Sequence, residues 1–389
     1  MTASLPTSST LLPNPTDRAP HHFSFVDALR GFAILAVVMT HCGQEVRGIP
    51  AVVRTFTDGC SFGVELFFVV SAFTLFWSLQ NRRNVDRHPL KAFFVRRIFR
   101  IVPLFWLGVL FYTTHRVKYD LVYSPNGIGW PHIIATLLLV HGWYPSTING
   151  VVPGGWSIAA EAMFYLCLPL LHKCIRSLGA ALWITLVTTF ASGLMPLVRD
   201  HILMTHFPDA WRELVGLFLF WSFPGQLPVF CMGLVLYFLL MQQMSRVKAQ
   251  PVSKRNWSLL LLTIAAFLML RKTPEQVIYA AAFVLVSFAL AIHPMRLIVN
   301  PLTKFVGLVS FSIYIWHFWI LYQLAPRLLP AIHPFHGEHG TGMAQLIVLY
   351  AVVLTASLAA ATISYYIIER PSQQLGKRLI TQMGWGGKV

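Results

Sequence analysis

The sequence predicts an all-α integral membrane protein with about ten transmembrane helices, a short re-entrant segment and both termini in the cytoplasm. Hydrophobic residues make up 56% of the chain and charged residues only 11%, a balance too apolar for a soluble globule. Many apolar stretches reach or approach the length of about 18 residues that is typical of a membrane-spanning helix. Lys and Arg residues are concentrated between these stretches, as expected for a polytopic helical protein.

The order of apolar stretches divides the chain into three parts. Residues 1–23 are rich in Pro, Ser and Thr and predict a disordered cytoplasmic tail, residues 24–370 a ten-helix membrane domain, and residues 371–389 a basic cytoplasmic tail. The segment 132–142 is apolar but too short to span, which indicates a re-entrant or interfacial segment. The expected spans are approximately 24–42, 61–79, 98–114, 156–171, 178–198, 212–241, 257–270, 275–292, 305–325 and 343–367.

The distribution of basic residues sets the orientation of these spans. With the N-terminus inside, 20 Lys and Arg residues fall in the cytoplasm and 9 outside, as the positive-inside rule requires. Counting 132–142 as a span would reverse all later loops and place the basic 242–255 loop outside. The same distribution explains the net charge of +16 by topology, so we expect no nucleic-acid partner.

The first predicted span contains three ionisable residues, Asp27, Arg30 and His41. Such groups are costly inside a membrane and usually face a partner, a cavity or a substrate. His41 lies eleven positions after Arg30, so the two side chains share nearly the same helical face at a distance of about 16 Å along the axis. Asp27 lies one turn before Arg30. This line of charges ends in a histidine, the side chain best suited to proton transfer near neutral pH.

Three arginines, Arg96, Arg97 and Arg100, precede the third predicted span. Guanidinium groups one turn apart, such as those of Arg97 and Arg100, bind phosphate oxygens in bidentate fashion. The alternative is a topological anchor that contacts anionic lipid headgroups.

Two carboxylates are embedded in other apolar helices. Glu161 follows Gly154-Gly155 and Ser157, where a tight turn starts a helix; it is a candidate site residue or a structural partner of an intramembrane Arg or His. Glu65 lies at a depth similar to that of His41 and either orients its imidazole or is an ordinary hydrogen-bonded helix residue.

The remaining candidates are His317, with Tyr314 one turn before it, and a histidine-containing loop. A histidine beside Trp is more often a packing residue than a catalyst, and both alternatives stay open for His317. The loop residues His333, His336, Glu338 and His339 resemble a metal cluster, but their Pro- and Gly-containing surroundings favour a solvated loop without metal. The chain has no CxxC pair, and free thiols are expected for Cys42 and Cys60.

Taken in order, these segments resemble the membrane-bound acyltransferase type 3 family. One departure from the family pattern is Ala72, where the family more often has Gly. The matching residues are Arg30 and His41 at their spacing, GVELFFVVSAF at 63–73, RRIFRIVPLFWL at 96–107, WSIAAEAMFYL at 156–166, SIYIWHF at 312–318 and IERPSQQLGKRL at 368–379.

The resemblance implies transfer of an acyl group, usually acetyl, from cytoplasmic acyl-coenzyme A to a hydroxyl of a glycan or lipid-linked saccharide. It implies acyl-coenzyme A as donor substrate, no bound cofactor, contact with membrane lipids, and a place in the bacterial cytoplasmic membrane. The family's essential first-helix Arg and His match Arg30 and His41, and its cytoplasmic arginine pair matches Arg97 and Arg100.

This chemistry needs a base, an oxyanion donor and a clamp for the donor's phosphates. We expect His41 to act as base or transient acyl carrier, Arg30 to stabilise negative charge, and Glu161 to orient either of them. The alternatives are a transporter or flippase for a lipid-linked sugar, with the same charges lining its path, and a non-catalytic membrane scaffold.

Overall fold

The computed structural model describes residues 23–115, 123–201, 205–207, 211–246, 254–269, 276–328 and 342–387. All regular secondary structure in these ranges is helical, which confirms the predicted all-α class. The predicted N-terminal tail, except for Phe23, and the loop containing His333, His336, Glu338 and His339 lie outside the described residues.

The helices of the described ranges are numbered here in chain order. The helix Ser310–Trp319 continues through a π-helical turn, Ile320–Leu324, and the helix Gly342–Ser364 continues through another, Tyr365–Glu369. The helices are α1 Ser24–Glu45, α2 Ala51–Gly59, α3 Gly63–Arg82, α4 Pro89–Thr114, α5 Trp130–Leu137, α6 Gly155–Cys174, α7 Leu178–Gly193, α8 Met195–His201, α9 Arg212–Trp221, α10 Phe223–Arg246, α11 Lys254–Met269, α12 Gln276–Ile292, α13 Pro301–Leu308, α14 Ser310–Trp319, α15 Gly342–Ser364 and α16 Arg370–Gln382.

Long apolar helices support a membrane-embedded protein. In the described ranges, five helical stretches are long and apolar enough to cross a membrane, or six if the pair α13 and α14, bent by 67°, forms one span. The predicted number of ten is therefore larger than the number identified by length and composition. Helices α11 and α12 have only 16 and 17 residues, and α4 and α6 are not among the stretches identified. Helix α5, with eight residues, rises only about 12 Å and is too short to span.

Helix α1 is a central helix of the bundle, in contact with α3, α13, α14 and α15. Its contact with α13 depends on two glycines. A Cβ atom at Gly307 would lie 1.8 Å from the carbonyl oxygen of Asp27, and one at Gly31 would lie 2.3 Å from that of Thr303. Small residues allow such close approach of helices in membranes, so this crossing fixes the half of α1 that carries Arg30.

The other end of α1 is held by a cation. The Arg54 guanidinium donates hydrogen bonds of 2.6 Å to the carbonyl oxygens of both Gly43 and Val46. Carbonyl groups at a helix C-terminus lack helical partners, and a basic side chain both satisfies them and complements the helix dipole. Arg54 thus stabilises the end of α1 that carries His41.

Helix α16 packs against α4, the helix that carries Arg96, Arg97 and Arg100. Ser372 Oγ donates to the Phe99 carbonyl oxygen at 2.7 Å, and a Cβ at Gly376 would lie 2.8 Å from the Phe99 side chain. The segment predicted as a basic tail therefore contains a helix, Arg370–Gln382, that packs against the protein.

Candidate active site

Five helices, α1, α3, α4, α6 and α14, enclose a cavity with about 720 Å³ of empty space, including the part that opens outward. One side of its lining is aromatic and aliphatic, and the rest is polar or charged. The polar lining residues are Arg30, Ser71, Arg97, Arg100, Ser157, Glu161, Ser310 and Tyr314.

The cavity therefore collects six of the residues that the sequence predicted for the site: Arg30, Arg97, Arg100, Ser157, Glu161 and Tyr314. They come from four different helices. The bend at Val309, between α13 and α14, starts the helix that carries Ser310, Phe311 and Tyr314 into the lining.

Positive charge dominates this lining, with three guanidinium groups against the single carboxylate of Glu161. Arg30 Nη2 donates to Thr74 Oγ1 at 3.2 Å, and its Nη1 lies 3.8 Å from Asp27 Oδ1. Arg97 packs over the Phe93 ring, and its buried Nε has no hydrogen-bond partner among the described residues. A buried N–H without an acceptor is costly, so this positively charged cavity is suited to an anionic ligand.

Glu161 is held by a residue that the sequence analysis did not single out. Ser71 Oγ of α3 donates a hydrogen bond to Glu161 Oε1 of α6. Tyr165, one turn further along α6, interacts electrostatically with both Glu161 and Arg97. In the sequence, Ser71 is a hydroxyl residue within the apolar run GVELFFVVSAF. Its role as a hydrogen-bond donor to Glu161 is seen only in the folded structure.

Glu369 is a second residue without a predicted role, although its segment was part of the family resemblance. Ser312 Oγ donates to its buried carboxylate, which interacts electrostatically with Arg100. The π-helical turn Tyr365–Glu369 precedes α16 and brings this carboxylate to the arginine side of the cavity.

The turn before α6 forms the Tyr314 side of the cavity. Tyr314 Oη donates to the Gly154 carbonyl oxygen at 2.9 Å and accepts from Ser157 Oγ at 2.8 Å. Gly154 has a φ of +77°, and a Cβ there would lie 2.7 Å from Tyr314 Oη. Both the left-handed conformation and the close approach require glycine, which gives the predicted Gly154-Gly155 turn a physical basis.

His41 lies next to the cavity but does not line it. Its half-buried ring is 4.4 Å from the Phe318 ring, between centroids, and a Cβ at Gly154 would lie 3.1 Å from Phe318 Cε2. Phe318 thus joins the Tyr314 end of the cavity to His41. His41 Nδ1 lies 3.1 Å from Gln44 Oε1, another residue that sequence reasoning missed.

His317 is fully buried, and the centroid of its ring is 5.5 Å from that of His41. The sequence placed these residues almost 280 positions apart and gave no reason to pair them. The structure therefore brings together two histidines that had been considered separately.

Besides His41 and His317, three predicted site residues lie outside the cavity lining: Glu65, Arg96 and Asp27. Glu65 is buried, but it points about 100° away from the α3 face formed by Val64, Phe68 and Ser71. The side chain beside His41 Nδ1 is that of Gln44, whose Oε1 lies 3.1 Å away.

Arg96 is separated from Arg97 and Arg100 for the same geometric reason, since it lies about 100° around α4 from their shared face. It forms a 2.7 Å salt bridge with Asp86. Asp27 also lies outside the lining, and its Oδ1 is 3.8 Å from Nη1 of Arg30, which lines it.

No group of three or more His, Cys, Asp or Glu side chains in the described ranges is arranged to bind a metal ion. Cys42 and Cys60 are free thiols, as expected.

Comparison with known proteins identifies the family of this chain. A model of the acyltransferase domain family matches residues 23–366. Acyltransferase MdmB of Streptomyces mycarofaciens is 26% identical over 375 residues, which cover 90% of this chain and 92% of MdmB. O-acetyltransferase OatA of Staphylococcus aureus is 24% identical over 392 residues, which cover 92% of this chain.

The chain spans only 58% of the length of OatA. No solved structure matches the chain. The family match covers the whole cavity and both histidines, since His317 lies within it. The chain therefore belongs to the acyltransferase domain family, and it is an integral membrane acyltransferase.

Proposed function

We propose that the protein is a membrane O-acyltransferase that moves an acyl group, acetyl in the first instance, from cytoplasmic acyl-coenzyme A to a hydroxyl of an extracytoplasmic or lipid-linked saccharide. The observation that carries the proposal is the cavity with three arginines and one carboxylate beside His41. The O-acetyltransferase and acyltransferase names of the relatives support the reaction class.

Arg97 and Arg100 are assigned to the donor. They lie one turn apart on α4 and line the cavity together, so their guanidinium groups suit the phosphates of a nucleotide-containing donor. Arg97 Nε, which is buried without a partner among the described residues, would gain one from such an anion.

Arg30 is assigned to the thioester and its oxyanion. It lines the same cavity as Arg97 and Arg100 and precedes His41 on α1. Its contacts are a hydroxyl, Thr74, and a 3.8 Å approach to Asp27, which leave donors for an oxygen that becomes negative during acyl transfer. Glu161, held by Ser71, limits the positive charge of the lining and orients the neighbouring cationic groups.

His41 is assigned as the base. Gln44 Oε1 accepts from Nδ1–H, which leaves a lone pair on Nε2 to take the hydroxyl proton. The oxygen of the acceptor then bonds to the acyl carbon, the carbon–sulfur bond breaks, and the sulfur leaves as coenzyme A thiol after protonation. A transient acyl-imidazole on His41 Nε2 is the two-step variant of the same chemistry.

The donor assignment is tested by incubating the purified protein with acetyl-coenzyme A and a panel of saccharides, and measuring thiol release and ester formation by mass spectrometry. We expect thiol release to depend on a saccharide and to be lost in Arg30→Met. A transporter or flippase would bind the saccharide without consuming the thioester, and that result would overturn the proposal.

The ten-span topology with cytoplasmic termini, and a location in the bacterial cytoplasmic membrane, are part of the same proposal. They are supported by the distribution of 20 inner and 9 outer basic residues.

A further inference from the structure

The second histidine of the site, His317, carries an inference that deepens the proposed function and rests on it. His317 is completely buried, whereas His41 is half-buried. The centroids of the two rings are 5.5 Å apart and the ring planes are tilted by 34°. The position of the hydrogen on each ring determines whether the two rings can form a hydrogen bond with each other.

Both rings have Nδ1 committed to an acceptor on their own helix. His317 Nδ1 lies 2.8 Å from the Tyr314 carbonyl oxygen and 3.2 Å from that of Ile313. A carbonyl oxygen only accepts, so Nδ1 of His317 carries the hydrogen and Nε2 carries a lone pair. Gln44 Oε1 imposes the same tautomer on His41.

The resting site therefore has two Nε2 acceptors, each on the side of its ring away from its own helix backbone. Nε2 of His317 is buried and has no hydrogen-bond partner among the described residues. An unsatisfied buried acceptor costs about 1–3 kcal/mol. An N–H on the neighbouring His41 ring, whose centroid is 5.5 Å away, would satisfy this acceptor after a small approach of the two rings.

Burial separates the roles of the two rings. A saccharide hydroxyl can approach the half-buried ring of His41, but it cannot approach His317, which has no exposed surface. His317 therefore acts through His41 and not on the saccharide directly.

We propose that His317 Nε2 holds the proton that His41 removes from the acceptor hydroxyl. In this step the O–H bond breaks and its hydrogen passes to His41 Nε2, and the His41 ring then turns this N–H from the acceptor oxygen towards His317 Nε2, which takes the proton. The acceptor oxygen bonds to the acyl carbon, the carbon–sulfur bond breaks, and the leaving sulfur takes the proton back from the histidine pair.

A simple packing role does not account for all of these contacts. Ring contacts with Phe318, 4.2 Å between centroids, and with Tyr314, 5.6 Å, require an aromatic ring at position 317. They do not require a nitrogen at the Nε2 position, and a carbon there would avoid the unsatisfied acceptor.

Chemical rescue distinguishes a proton-holding ring from a space-filling one. His317→Ala is assayed with acetyl-coenzyme A and an active saccharide, alone and with added imidazole or pyrrole. We expect kcat to fall roughly 10- to 100-fold, with the KM of each substrate changed less than about twofold. Imidazole should restore kcat, and pyrrole, which has the same shape but no acceptor nitrogen, should not.

His172→Ala is the matched control, because His172 is another buried histidine and pairs with Gln80 away from the cavity lining. It should retain wild-type kcat. If His317→Ala does not fold, His317→Phe fills the same space without nitrogen and should show the same loss of kcat without rescue.

Equal rescue by pyrrole, wild-type kcat in His317→Phe, or a loss confined to KM would overturn the assignment to His317. A wild-type protein that never consumes acetyl-coenzyme A would overturn the proposed function instead. The double variant His41→Ala/His317→Ala provides a further check, since it should be no less active than His41→Ala if His317 acts through His41.

Discussion

Gln44 Oε1 lies 3.1 Å from Nδ1 of His41, one helical turn further along the same helix. This contact fixes the imidazole with Nε2 as its acceptor atom. If His41 is the base and Gln44 sets its tautomer, activity should depend on both residues, and each is tested by its own substitution.

His41→Ala should abolish acyl transfer while the protein remains folded and inserted. General-base catalysis typically contributes 10²–10⁴-fold, so we expect less than about one hundredth of the wild-type kcat. The measurement is thiol release from acetyl-coenzyme A by protein of unchanged elution volume in detergent. Retention of more than about a tenth of the activity would contradict the role of His41 as base.

Gln44→Leu should lower kcat about tenfold, because a lost hydrogen bond of roughly 1.4 kcal/mol no longer orients the ring. Gln44→Glu is the matched variant, since its carboxylate accepts from the same N–H and should preserve most of the activity. Steady-state kinetics of both variants test the prediction; equal losses in the two would mean that Gln44 does not act through this hydrogen bond.

Replacing both Arg97 and Arg100 with Ala should raise the KM for acyl-coenzyme A about 10- to 100-fold, because charged hydrogen bonds to phosphate are lost. The KM for the acceptor should change much less. Lys at both positions should restore donor binding only in part, since ammonium groups cannot form the bidentate fork.

The neighbouring Arg96 provides a control for this experiment. Arg96→Ala is combined with Asp86→Ala, so that the 2.7 Å salt bridge is removed as a pair and no carboxylate is left buried alone. The double variant should keep the wild-type donor KM. An unchanged KM in the Arg97/Arg100 variant as well would make those arginines topological anchors.

Gly307→Ala should destabilise the protein by about 1–3 kcal/mol or prevent its folding, because the new Cβ would lie 1.8 Å from the Asp27 carbonyl oxygen. Gly193→Ala is the matched control, since no atom lies within 4 Å of a Cβ there. Thermal unfolding in detergent, followed by loss of the monodisperse peak, gives the comparison. Equal stability of the two variants would show that α1 and α13 do not cross this closely.

Cysteine labelling tests the proposed topology. In a cysteine-free background, a single Cys at Tyr144, an exposed position near the buried Asn149, should react with an impermeant thiol reagent in intact cells, and one at Lys254 should not. The reason is that α5 is too short to span, which leaves Asn149 outside and Lys254 in the cytoplasm. The opposite labelling would mean that residues 130–143 cross the membrane.

The sequence predicted the part of the site that is costly to embed. Arg30, Arg97, Arg100 and Glu161 stand out because ionisable groups in apolar helices need a reason, and all four line one cavity. Helical periodicity also separates Arg96 from Arg97 and Arg100, although their adjacency in sequence had grouped them.

What the sequence did not predict depends on contacts between distant helices. Ser71 with Glu161, and His41 with His317, are pairs whose members carry no local signal for each other. The number of spans is a different case. Apolar stretches in the sequence mark ten candidates, whereas five or six of the described helical stretches are long and apolar enough to cross a membrane.

The capped and tightly crossed helix α1 has a consequence for the substrates. No proline interrupts α1, Gly31 packs closely against α13, and Arg54 caps the last turn. The Cα atoms of Arg30 and His41 are therefore held about 16 Å apart along the helix. A helix held in this way does not bend to bring a bound group from Arg30 to His41. The long flexible arm of the thioester, or the incoming sugar, must cover the remaining distance, and donors with shortened arms should fail even when their phosphates bind.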